Sequence, residues 1–153
     1  MDWTNQALKL FSTPKPDHFT NYQHCCECAE HDETLRSNSV ESIGLEQLGN
    51  PGWDPLCFCS VDGFFYYMPA LIRLTLSTID IPSERYLDQF LFHMLGDGPD
   101  NRLIVAANHD QRQFIANFFE YLIDQHDQAV TAIEGREDEI LKAHQIWSTS
   151  TPL

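Results

Sequence analysis

The sequence predicts an all-α fold, a single compact helical domain over residues 1–153 built from six or seven helices. Three observations predict it. Apolar residues recur at helical spacing in long stretches, above all in 83–95 and 109–125. Strict alternation of apolar and polar residues is nowhere sustained, so strands are not expected. Proline and glycine fall in short runs, "STPKPDH", "LGNPGWDP", "DIPS" and "LGDGPDN", which read as loops between helices. A chain of 153 residues suits one domain and buries roughly 70% of its unfolded surface, so it needs no metal or disulfide in order to fold.

Taken in order, Asn5–Phe11 reads as a short helix, and so does Val40–Leu48. Between them lies "QHCCECAEH", Gln23 to His31, with three cysteines, two histidines and two glutamates. Ser60–Ser77 is the central helix, apolar nearly all round from Phe64 onward, with Ser60 as its cap and Asp62 at the positive end of its dipole. Pro69 inside it removes a hydrogen bond and crowds the preceding turn, so a kink or break is expected there. Ser83–Leu95 places Leu87, Phe90, Leu91, Met94 and Leu95 on one face, with Ser83 as cap and Gly96, Gly98 and Pro99 as the stop. "RLIVAA" reads as an extended approach, because a lone strand would have nothing to pair with. His109–Gln125 follows, with Asn108 and Gln111 forming a capping box and a wide apolar face from Phe114 to Ile123. Gly135 separates or bends what precedes Arg136–Trp147, which is amphipathic on Ile140, His144 and Trp147.

Charge restricts the function classes. The chain holds 23 acidic residues against nine basic ones, for a formal charge of −14. Phosphate contacts need clustered Lys and Arg, so no nucleic acid is expected as a partner, and no anionic membrane surface. A basic protein partner is permitted, and a negative field would speed that encounter. The N-terminus "MDWTNQALKL" has no basic region before an apolar core, and the longest apolar run is broken by Pro69 and Arg73. The expectation is a soluble cytoplasmic protein, with its five cysteines in a reducing compartment where disulfides are rare.

The cysteines carry the most specific chemistry. Cys25 and Cys28 have CxxC spacing, which on a helix puts both side chains on one face about 5–6 Å apart at Cβ. Two thiolates so placed can chelate a soft metal, and His31 is three residues further on. Cys26 points elsewhere, as does His24 unless the chain is irregular before the helix. A tetrahedral zinc needs four ligands, and the remaining candidates are Cys57 and Cys59 in "PLCFCS". Their CxC spacing aims them at opposite faces of an extended segment, so the double CxxC of a zinc site is absent. The candidate metal set is therefore Cys25, Cys28, His31, Cys57 and Cys59, with zinc as the only cofactor it suggests. Two other accounts stand beside it. The thiols can be small apolar fillers. Alternatively, a CxxC at a helix N-terminus can do thiol chemistry, since the dipole favours thiolate there. Against that, Glu27, Glu30, Asp32 and Glu33 oppose thiolate formation by repulsion, and no βαβ context is visible.

No catalytic residue is assigned. The pairs Glu30–His31, His109–Asp110 and, in the "QHD" of Gln125 to Asp127, His126–Asp127 are not dyads, because neighbours on a helix do not face each other. No Gly-rich phosphate loop, GxSxG elbow or HExxH occurs. The aromatic set Trp53, Phe58, Phe64, Phe65, Tyr66 and Tyr67 reads as core before it reads as a pocket.

Four stretches in this order, "CCEC", "GWDPL", "SVDGFFYYMPALI" and "NHDQRQFIANFFEYL", are similar to an uncharacterised family of small bacterial proteins described only as a domain of unknown function. The likeness covers about Phe11 to Leu122. It implies a bacterial cytosolic origin and carries over no activity and no catalytic residue. The doubled Cys25–Cys26 and the pair Cys57 and Cys59 go beyond that pattern, so the resemblance places no metal site. On these readings the first expectation is a non-enzymatic acidic module that binds a basic protein, in the manner of an immunity protein. The alternative is a zinc-binding or thiol-dependent protein centred on Cys25 and Cys28.

Overall fold

The computed structural model describes residues 2–149. Among them there are nine α-helices and three 3-10 turns, and no strand. The chain divides into two compact units, Met1–Thr78 and Ile79–Leu153. No helix among the described residues is long and apolar enough to cross a membrane.

The first unit contains α1 (Trp3–Leu10), α2 (Cys26–Arg36), α3 (Leu45–Leu48), 3-10 turns at Pro51–Trp53 and Pro55–Phe58, and α4 (Val61–Thr78). Asp2 caps α1 by accepting from the Asn5 backbone N–H at 3.1 Å. α1 packs along α4, with Phe11 edge-on to Phe65 at 5.3 Å. α4 is the apolar centre, as its composition requires: Phe64, Tyr67, Met68, Leu71 and Ile72 are fully buried. Ser60 caps it, accepting from the Gly63 N–H at 3.1 Å, and the helix runs through Pro69 without a break.

Several bonds hold α2 in place. The Tyr67 hydroxyl donates to the Leu35 carbonyl at 2.6 Å, tying the end of α2 to α4. Burial pushes the Tyr67 phenol well up, so it stays a donor at any working pH. Lys15 Nζ donates to the carbonyls of Arg36 and Asn38 at 2.9 and 2.7 Å, satisfying the end of the same helix. Asp32, buried on α2, accepts from the backbone N–H groups of Phe19 and Thr20 and pairs with His18 Nδ1 at 2.8 Å. Burial raises its pKa, but the His18 and backbone hydrogen bonds outweigh that, and the net shift is downward. Thr20 Oγ1 donates to the Cys28 carbonyl at 2.7 Å, so segment 18–20 is clasped to the first half of α2.

The second unit contains α5 (Leu87–Leu95), a 3-10 turn at Gly98–Asp100, α6 (Arg102–Ala106), α7 (His109–Gln125), α8 (Asp127–Thr131) and α9 (Arg136–Thr149). α9 packs on α7 and on α5. Phe90 meets Phe118 and Phe119 at 5.8 and 5.7 Å, and buried Trp147 donates its indole N–H to the Met94 carbonyl at 3.0 Å. The capping box of α7 forms in both directions, with Asn108 and Gln111 bonded at 2.8 and 2.9 Å. Gly135, at φ +82°, makes the left-handed step before α9.

The all-helical class agrees with the sequence reading, while the helix number does not. Six or seven helices are expected, and the excess over seven comes from α6 and α8, each only five residues long. "RLIVAA", expected to be extended, is α6, because Asn101 caps it by accepting from the Leu103 N–H at 2.8 Å. α5 begins at Leu87 after a turn, so Ser83 is not its cap. Val40–Leu48 is helical only at Leu45–Leu48, after a turn stapled to α4 by Arg73, which donates to the Val40 and Ile43 carbonyls.

Candidate functional site

The stretch that opens α2 starts outside the helix. Cys25 is its N-cap, in extended conformation at φ −164° and ψ 171°, and its sulfur accepts from the Cys28 N–H at 3.4 Å. A sulfur atom thus takes the place usually filled by a Ser or Asp oxygen, facing the unpaired amides and the positive end of the dipole. His24 precedes it, held in a turn by its N–H bond to the Asn21 carbonyl at 3.0 Å.

This geometry brings three donor atoms together. Cys25 Sγ and Cys28 Sγ are 3.3 Å apart, and His24 Nδ1 is 3.7 Å from Cys28 Sγ. All three lie within 4.8 Å of one another. They differ in access: His24 and Cys25 are exposed, and Cys28 is buried. They also differ in acidity. The Cys25 thiol is lowered from 9.0 to about 7, chiefly by the Cys28 backbone N–H and then by hydrogen bonds from His24 and the Cys28 thiol. The Cys28 thiol is raised, first by its hydrogen bond to Cys25, then by burial and by the charges of Cys25 and Glu27. The acidic neighbours expected to suppress a thiolate therefore do not prevail at Cys25. Close hydrogen bonds outweigh the repulsion, since Glu27, Glu30 and Glu33 face solvent and Asp32 is engaged with His18 and two backbone amides.

The other sequence candidates sit elsewhere. His31 is wholly buried, stacked on Phe58 at 4.8 Å and beside Trp53 at 4.5 Å. Neither of its ring nitrogens has a hydrogen-bond partner among the described residues, and the Glu27 carboxylate lies 3.5 Å from Nε2. Cys57 is exposed on the 3-10 turn Pro55–Phe58, and Cys59 is buried against Gly63. Among the described residues, no group of three close donors joins His31, Cys57 or Cys59 to Cys25 and Cys28. None of the five cysteines is in a disulfide. His24, absent from the sequence-derived set, is the added member. The one sign of it is the chain irregularity before α2 that its placement requires. Trp53 and Phe58 expose about two-fifths of their surface instead of lying in the core, at 42% and 41%.

Chemically, a vicinal dithiol with one acidic exposed thiol and one buried, less acidic thiol can exchange with disulfides, and two sulfurs with an imidazole can hold a thiophilic metal ion. Compared with known proteins, the chain matches no family model, no curated protein and no solved structure.

Proposed function

We propose that the chain carries out thiol–disulfide exchange through Cys25 and Cys28. The observation that carries this reading is the 3.3 Å contact between an exposed sulfur at a helix N-cap and a buried sulfur one turn along. The Cys25 thiolate attacks one sulfur of a substrate disulfide R–S–S–R′. A Cys25–S–S–R bond forms, and R′S⁻ leaves and takes a proton from solvent. Cys28 then loses its proton and attacks Cys25 Sγ, closing the Cys25–Cys28 disulfide and releasing RS⁻. The substrate gains two electrons and the dithiol loses two, so one round needs no other reactant.

The charge of −14 supports a related reading, in which the partner is a basic protein. The exposed rings of Tyr22, Trp53 and Phe58 in the same unit supply apolar contact area for it. The two readings combine if the substrate disulfide is borne on a basic polypeptide.

Incubating reduced protein with a disulfide-bearing basic peptide tests the first reading. Mass spectrometry should find the Cys25–Cys28 disulfide and both peptide thiols. Cys28→Ser should accumulate a mixed disulfide at Cys25. A Cys25→Ser variant that reduces the peptide as fast as the parent would overturn it. Binding of the peptide that is unaffected by salt would overturn the electrostatic part.

A further inference from the structure

We propose that, in its reduced state, the same corner is a redox-released zinc site formed by His24, Cys25 and Cys28. This rests on the dithiol reading for its release step but not for ion binding. Three donors of the kind zinc takes converge from one short stretch, and all lie within 4.8 Å of one another. Two edges of the triangle are close to what the ion requires. With Zn–S near 2.3 Å and Zn–N near 2.0 Å, tetrahedral coordination sets S···S at about 3.8 Å and N···S at about 3.5 Å. His24 Nδ1 and Cys28 Sγ are already 3.7 Å apart. The two sulfurs, at 3.3 Å, need to open by about half an ångström, which a small rotation of the exposed Cys25 side chain supplies.

Helix geometry alone brings only the two cysteines to one side. The third donor arrives because the chain turns at Asn21–His24 and is extended at Cys25. Three protein donors leave a fourth position to water or to a donor from a partner, as in zinc sites that are not purely structural. The fold has its own apolar core, so the ion is not needed for folding.

The coupling to exchange follows from electron bookkeeping. A substrate disulfide takes two electrons from the two zinc-bound sulfurs and leaves as two thiolates. The Cys25–Cys28 bond forms, neither sulfur is then an anionic donor, and Zn²⁺ is released. Zinc binding and disulfide formation are therefore mutually exclusive.

The test uses the full chain in two separate arms. In the first, reduced protein with no disulfide present is titrated with Zn²⁺ against a chromophoric chelator, and with Co²⁺ followed by its thiolate charge-transfer absorption. One equivalent is expected, with binding lost in Cys25→Ser and weakened at least roughly tenfold in His24→Ala, since even outer partners of a ligand are worth that much. Cys26→Ser and Cys57→Ser should bind like the parent. No binding by the reduced protein, or equal binding by the His24→Ala variant, would overturn the site. In the second arm, exchange is measured in excess chelator, which isolates the dithiol reaction from the ion. Zinc retained after the Cys25–Cys28 disulfide has formed would overturn the release step.

Discussion

At Cys25 one side chain sets both the shape of a helix end and the reactivity of a thiol. Its sulfur accepts the hydrogen bond that starts α2, and the same bond is the largest cause of its lowered pKa. The thiolate fraction rises with pH through about 7, so the rate of alkylation at Cys25 should climb with a midpoint there. In His24→Ala the midpoint should move up, because a hydrogen bond to the charged form is lost. Peptide mapping after pH-jump labelling checks both. Asp32 makes the second prediction at this scale. Its carboxylate holds two backbone amides and His18, and its folded pKa is depressed below 3.8. That contribution is fully present above the ordinary carboxylate value and is lost as pH falls through the lower folded one. Asp32→Asn should cost about 1–3 kcal/mol near neutral pH. Urea titrations repeated at falling pH should show the gap to the parent closing below about pH 4.

Among the elements, Gly63 shows how closely α4 meets its surroundings. A Cβ there would stand 2.6 Å from Cys59 Sγ and 2.7 Å from Phe19 Cδ2. Gly63→Ala should gain up to about 1 kcal/mol of helix propensity yet lose about 1–3 kcal/mol to overpacking. The expected net result is a lower midpoint in thermal unfolding followed by circular dichroism. How far the elements are legible depends on what signals they carry. α7 is readable to the residue, because its periodic face and the Asn108–Gln111 box agree. α6 and α8 are shorter than two turns and carry no period to detect. Ser83 after Pro82 has the right chemistry for a cap, but α5 starts at Leu87, where the buried face begins. The site divides in the same way. CxxC spacing reveals Cys25 and Cys28, whereas His24 joins them through a backbone bend that spacing does not encode. His31 has helical register with Cys28 but is taken up by Trp53 and Phe58.

At the scale of the whole molecule the dominant property is charge. A net −14 should steer cationic reactants toward the chain and repel anionic ones. Exchange with cystamine, a cationic disulfide, should slow as salt is added, and exchange with dithiodipropionate, an anionic one, should quicken. Equal salt responses in stopped-flow measurements would show that the field does not reach Cys25. Each of the two units has its own buried aromatic centre, Phe64 and Tyr67 in the first, Phe90, Phe118 and Phe119 in the second.

The aromatic sandwich around His31 has an optical consequence. Trp53 is half in water and touches the imidazole, while Trp3 and Trp147 are enclosed. Its emission, from a half-exposed indole, can be told from theirs. The protein thus contains a built-in fluorophore in contact with the helix that bears the dithiol, with no label attached.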